Sequence, residues 1–195
     1  IAAALGTSCE FFGKGKLPSR PLRTYIDCFS DKSVSMQPES GMPFLLSGKL
    51  IPGQFSLSGN ISSQFVTGLL FALPLLEGDS QIRLTTPLES ADYVNMTLEI
   101  LHLAGIEIIC KENGYDIKGN QKYHPFTYSV EADYSQAAFF LTAAAVGSQI
   151  SCKGLNPNSL QGDKQILNIL SQVGAEVTVS GDVVTVSHRQ LLPFA

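Results

Sequence analysis

The feature that most constrains the fold is an internal repeat in which two patterns alternate along the chain. The first is a short alternating strand, a polar cluster, an apolar helix, a glycine and a further strand. It runs as FSLSGNISSQFVTGLLFALPLLEGDSQIRL from Phe55 and as YSVEADYSQAAFFLTAAAVGSQISCKG from Tyr128. The second pattern is a helix, a glycine or short turn, and a two-stranded hairpin. It runs as VNMTLEILHLAGIEIICKENGYDIKG from Val94 and as KQILNILSQVGAEVTVSGDVVTVSH from Lys164, with a looser copy in LRTYIDCFSDKSVSMQPESGMPFLLSGK from Leu22. In KQILNILSQVG the apolar Ile166, Leu167, Ile169, Leu170 and Val173 recur at helical spacing, and Gly174 suits the left-handed residue that closes a helix. The alternation that follows turns around Ser180-Gly181-Asp182, which predicts a hairpin. One full unit is therefore strand, helix, strand, helix, strand, strand, over roughly 70 residues.

The register of the repeat has a consequence of its own. The opening IAAALGTSCEFFGKG matches only the end of an apolar helix and its following strand, with Gly6 in the place that Gly78 and Gly147 hold in the other copies. The chain stops just after a hairpin, at LLPFA, and it has no initiator Met. It is expected to be a piece of a longer protein. IAAALG has neither the basic leader nor the length of a secretory signal.

Composition narrows the partners. The chain has 195 residues, 44% of them hydrophobic, which is enough for a sizeable core. Only 15% are charged and the formal net charge is -4, so no broad attraction to nucleic acid or to an anionic membrane is expected. The longest apolar run, Val66 to Leu76, is broken by Gly68 and Pro74 and is too short to span a bilayer. Any anion must be captured locally. Cys9, Cys28, Cys110 and Cys152 are scattered, with no CxxC pair and no histidine at zinc-ligand spacing, which predicts free thiols in a reducing, cytoplasmic setting and no metal. His102, His124 and His188 are equally dispersed.

Three polar features stand out against this background. In SGNISSQF the capping types Asn60, Ser62 and Ser63 sit at the start of an otherwise apolar helix. They either cap it or, with its exposed N–H groups and positive dipole end, receive an anion; one helix start can do both. In KGKLPSRPLR, Lys14, Lys16, Arg20 and Arg23 form a basic run inside an acidic chain, and Arg20 before Pro21 is expected to be extended, with its guanidinium fork available to a carboxylate or phosphate. In LTTPLESADYVNMTLEIL, Ser90 leads into a helix over Val94 to Leu103 as either a cap or a ligand contact, and Tyr93 offers a ring and a hydroxyl. GDSQI near Gly78 and NPNSLQGDK near Asn156 are expected to be plain loops.

The set L-x-x-R-P near Leu17, G-N-x-S-S-Q-F at Gly59, L-x-S-x-x-Y-x-x-M-T at Leu88, V-E-x-D at Val130 and L-Q-G-D at Leu160, in that order, resembles the 5-enolpyruvylshikimate-3-phosphate synthase family. The resemblance implies an α+β fold, an inside-out α/β barrel of repeated βαβαββ units that is here truncated. Residues 1–129 would be the later part of an N-terminal domain, and 130–195 the first unit of a C-terminal one. It implies transfer of the enolpyruvyl group of phosphoenolpyruvate to the 5-hydroxyl of shikimate 3-phosphate, with no metal or organic cofactor, by a full-length protein expected to be monomeric. By that resemblance Ser62, Ser63, Gln64, Ser90 and Tyr93 bind shikimate 3-phosphate, and Arg20 and Gln64 bind phosphoenolpyruvate. The family's catalytic acids and bases have no counterpart here, so no catalytic residue is expected within the chain and no turnover by it alone. Ala91-Asp92 stands after Ser90 where many relatives carry Lys-Pro. Alternative readings are the related enolpyruvyl transferase acting on a UDP-amino sugar and a non-catalytic anion-binding repeat module.

Overall fold

The computed structural model describes residues 1–189, and LLPFA, at which the chain stops, lies outside them. The chain folds as two compact units, Ile1–Phe126 and a second from Thr127 on. In chain order the first unit holds α1 (Ala2–Leu5), β1 (Cys9–Phe11), α2 (Arg23–Cys28), β2 (Val34–Gln37) and β3 (Phe44–Gly48), then β4 (Gln54–Leu57), α3 (Ser63–Ala72), β5 (Ser80–Leu84), α4 (Ala91–Leu103), β6 (Ile108–Lys111) and β7 (Gly114–Ile117). The second holds α5 (Tyr134–Gly147), β8 (Gln149–Lys153), α6 (Ile166–Gln172), β9 (Glu176–Ser180) and β10 (Val183–Ser187).

Sheet order makes the repeat visible. Among the described residues the three sheets run β1-β3-β2, β4-β5-β7-β6 and β8-β10-β9, so the same hairpin topology recurs in each copy. β4 and β5 pair in parallel with α3 as the crossover, from Gln54 opposite Gln81 to Leu57 opposite Leu84. The helix stops repeat too. Gly105 and Gly174 both have positive φ, at 78° and 92°. Ile106 N–H donates to Leu101 O and Ala175 N–H to Leu170 O, each at a helix end closed by one left-handed glycine. The β9–β10 hairpin closes on Gly181-Asp182, since Ser180 faces Val183.

One expected strand is missing. The stretch from Tyr128, read as the opening strand of the second copy, forms none. Ala132 N–H donates to Gly154 O at 2.8 Å, but a single bond is not a ladder. Val130 is 86% exposed, and although Ala132 on the same alternating side packs against the core, the side as a whole buries too little to hold a strand. The helix expected from Val94 in turn begins a turn earlier, at Ala91.

The core of the first unit is built from Phe55, Val66, Leu69, Leu70, Leu73, Ile82, Val94, Leu101 and Ile117, all nearly or wholly inaccessible. α3 is apolar on more than one side because its Val66, Leu69 and Leu70 share one core with Phe55, Leu57 and Ile82 of the strands while it also packs on α4 and meets Tyr25 of α2. The Tyr25 hydroxyl of α2 donates to Phe65 O at 3.3 Å, and a methyl group on Gly68 would lie 2.2 Å from the tyrosine's hydroxyl oxygen, so glycine is what lets α2 approach. Burial pushes the Tyr25 phenol up to about 12.

In the second unit, Tyr134, Leu141, Leu155, Leu170, Val184 and Val186 form the core. The NPNSLQGDK segment is more than a plain loop. Glu131 Oε1 accepts from Ser159 Oγ at 2.6 Å and Gln161 Nε2 at 3.0 Å, while Gln161 Oε1 accepts from Tyr134 N–H at 2.8 Å, tying the loop to the start of α5. Burial pushes the Glu131 carboxyl up, but the hydrogen bonds from Ser159 and Gln161 outweigh it and hold the group below the ordinary glutamate range. A depressed carboxyl adds stability that is present above its unfolded-state value of about 4.3 and is lost as pH falls through the folded-state value. The second unit is therefore expected to loosen on acidification below about pH 4.3. Glu131→Gln is expected to flatten that dependence, as followed by amide exchange of residues 134–147 against pH.

Candidate anion site

Two loops bring the starts of α3 and α4 together. Thr86 Oγ1 accepts from Gly59 N–H at 3.0 Å and from Asn60 N–H at 3.2 Å. Ser58 Oγ donates to Asn60 Oδ1 at 2.7 Å, so its 3.0 Å contact with Thr86 is a bond that the threonine donates. Glu89 N–H donates to Gly59 O at 3.0 Å. The fit is tight: a Cβ on Gly59 would stand 2.8 Å from the carbonyl oxygens of both Thr86 and Pro87. The chain needs glycine here for close approach of two backbones.

From these loops each helix begins differently. Ser62 is extended at φ -169° and caps α3, its Oγ accepting from Gln64 N–H at 3.3 Å. Asn60, another candidate cap, is instead engaged by Ser58. Ser90 precedes α4 in the left-handed conformation, φ 56°, and makes no side-chain cap bond. A non-glycine residue held there is uncommon, costs about 1 kcal/mol and persists where the surroundings impose it.

Between the helices lies an open cleft of about 450 Å³. One wall is Ser62, Ser63, Gln64, Thr67 and Phe71, and the other is Ser90, Tyr93, Met96, Thr97 and Ile100. The spacing follows the helical period on both sides, so polar groups gather at the end nearest the helix starts and apolar groups line the far end. Five of the six site residues expected from the sequence thus share one cleft, although Gln64 and Ser90 are separated by a whole strand. Ser62 and Ser63 are half-buried, whereas Gln64, Ser90 and Tyr93 are exposed. Among the described residues, the side chains of Ser63, Gln64 and Ser90 make no hydrogen bond within the protein. The arrangement presents hydroxyl and amide groups at the positive end of α3, which is what an oxyanion requires.

Arg20 is not part of the cleft wall. It ends a 3-10 turn, Leu17–Ser19, in extended conformation at φ -71° and ψ 139°, as its following proline requires, and it is exposed. Lys14 and Lys16 are exposed as well. Arg23 is engaged at 2.8 Å by Asp27 and 3.0 Å by Glu39. Among the described residues no group of His, Cys, Asp and Glu is placed to hold a metal ion, and no helix is long and apolar enough to cross a membrane. The sequence reading missed Thr67 and Thr97, which lie where the helical periods from Ser63 and Tyr93 would have placed them.

The signature of the family EPSP synthase (3-phosphoshikimate 1-carboxyvinyltransferase) matches residues 1–194. The chain is 46% identical over 182 residues to the 3-phosphoshikimate 1-carboxyvinyltransferase of Clostridium kluyveri, covering 91% of this chain and 42% of that protein. It is 49% identical over 170 residues to that of Clostridium acetobutylicum, covering 86% and 40%. It spans about two fifths of the length of these curated relatives. Among solved structures, EPSP synthase from Acinetobacter baumannii superposes with a TM-score of 0.73 at 21% identity, over 95% of this chain and 43% of that one. The enolpyruvyl transferase NikO from Streptomyces tendae superposes at 0.66 and 16% identity, over 96% and 45%. The expected fold, an inside-out α/β barrel of repeated units present in part, is the one these structures share. With the family signature running from Ile1 to the penultimate residue, this chain belongs to the EPSP synthase (3-phosphoshikimate 1-carboxyvinyltransferase) family.

Proposed function

We infer that the chain is the part of a 3-phosphoshikimate 1-carboxyvinyltransferase that receives shikimate 3-phosphate, within aromatic amino acid and chorismate biosynthesis. The single observation behind this reading is the cleft in which Ser62, Ser63, Gln64, Ser90 and Tyr93 converge. Ser62, Ser63 and Ser90 take the phosphate, Tyr93 lies along the ring, and Gln64 stands between the two substrates. Arg20 takes the phosphoenolpyruvate anion. In the full-length reaction the 5-hydroxyl oxygen bonds to C2 of phosphoenolpyruvate as its proton is lost and C3 is protonated. Phosphate then leaves the tetrahedral adduct as a C3 proton is removed to restore the enol ether. Two polyanions must meet, and fixed donors lower the cost of bringing them together. The proton transfers need general acids and bases, and none is assigned within this chain. The full-length protein is read as a monomer of the cytoplasm that uses no cofactor; the free thiols of Cys9, Cys28, Cys110 and Cys152 suit that compartment.

Calorimetric titration of the chain with shikimate 3-phosphate, and with shikimate as control, tests the reading. Binding of the phosphorylated compound alone is expected, without turnover when phosphoenolpyruvate is added. Ser63→Ala is expected to weaken that binding about tenfold, the loss of a hydrogen bond to a charged group. Equal affinity for both compounds, or an unchanged Ser63→Ala titration, would count against it.

A further inference from the structure

Two threonines inside the cleft join its walls. Thr97 Oγ1 donates to Tyr93 O at 3.0 Å, four residues earlier on α4. That bond commits its single hydroxyl proton. The 3.2 Å contact between Thr67 Oγ1 and Thr97 Oγ1 is therefore donated by Thr67. Thr67 thus reaches across to the opposite helix instead of bonding back to a carbonyl of its own, which is the ordinary local choice for a helical threonine. Thr97 is only 9% exposed, Thr67 is half-buried, and the apolar Phe71, Met96 and Ile100 line the same cleft. In such surroundings a hydroxyl without a partner is costly, so the pair acts as a fixed tie.

The position of that tie gives it a role. Thr67 lies one turn along from Ser63, and Thr97 one turn along from Tyr93. At the other end of the same polar group, Thr86 ties the two loops together. The polar residues of the cleft are therefore bracketed by two hydroxyl ties, one in the loops and one between the helices. We propose that the Thr67–Thr97 pair is a strut that sets the spacing of the two helix starts, with Thr67 as a positioning residue for the anion site. This deepens the reading of the cleft as the shikimate 3-phosphate site and rests on it. A ligand held by donors from both helices is sensitive to their spacing, because an error in it misplaces one whole set of donors.

The test compares Thr67→Val, which keeps the shape and removes the donor, with Thr67→Ser, which restores the hydroxyl, in the 195-residue chain. Shikimate 3-phosphate affinity is expected to fall about fivefold in Thr67→Val and to return in Thr67→Ser, with the unfolding midpoint little changed. Without ligand, the backbone amide resonances of Ser90 to Tyr93 are expected to shift in the valine variant and to return in the serine variant. Unchanged affinity with unmoved resonances overturns the strut. If the unaltered chain binds no shikimate 3-phosphate, the site assignment falls, and the resonances alone decide the strut: movement reversed by serine upholds it, and no movement removes it. Should Thr67→Val not fold, Thr67→Ala, which also removes the donor, carries the same comparison, and an alanine variant identical to the parent in both readouts overturns the proposal.

Discussion

Replacing Phe55 by alanine is expected to lower the unfolding free energy of the first unit by about 4 kcal/mol, a large part of what a domain of this size possesses. Phe55 is wholly inaccessible in the strand that leads into the SGN loop. Its ring meets Phe29 edge-on at a centroid distance of 6.4 Å. The ammonium of Lys32, a residue only 7% exposed, lies 5.2 Å from the same ring. Alanine would leave a cavity and also remove the aromatic face that helps hold a buried cation, otherwise paired with Asp31 at 3.0 Å. Chemical denaturation measures the loss. Phe55→Leu fills much of the same volume and is expected to recover about half of it.

The second large effect is expected at Gly59. A methyl group there meets two carbonyl oxygens at 2.8 Å and the Leu88 Cα at 3.0 Å, all of them backbone that cannot rotate away. The loops would have to part, breaking the bonds from Gly59 and Asn60 N–H to Thr86 and from Glu89 N–H to Gly59 O. A cost of about 2 to 3 kcal/mol is expected, from overpacking together with lost hydrogen bonds. Unlike Phe55→Ala, this change also separates the two helix starts. Shikimate 3-phosphate binding is therefore expected to fall more than tenfold, even under conditions where the variant is fully folded. Calorimetry below the unfolding midpoint separates the two losses. A Gly59→Ala chain with parental affinity would show that the spacing of the loops does not govern the site.

Much of this architecture was legible in the sequence because its signals are local and repeat. Gly105 and Gly174 close helices wherever an apolar period ends, and Gly181-Asp182 turns a hairpin, so the order of elements follows from short windows. The strand expected from Tyr128 failed for the complementary reason: alternation marks a strand only where one side is buried, and Val130 is 86% exposed. That one of Asn60, Ser62 and Ser63 caps the helix is likewise a local property, and in the structure Ser62 is the one that does so. The left-handed Ser90 was not legible, since its conformation is imposed by the Thr86–Glu89 loop lying against Gly59. Nor was the Thr67–Thr97 bond, which pairs residues on different helices and depends on packing that no short window encodes. The Glu131 network was hidden in the same way, because Glu131 and Ser159 are joined only by the fold.

The most direct measurement is a two-dimensional amide NMR titration of the isotope-labelled chain with shikimate 3-phosphate. Perturbations concentrated at Ser62, Ser63, Gln64, Ser90 and Tyr93, saturating together and absent with unphosphorylated shikimate, are the predicted result. Perturbations centred on the exposed lysines Lys14 and Lys16, or spread without a focus at the α3 and α4 starts, would contradict it.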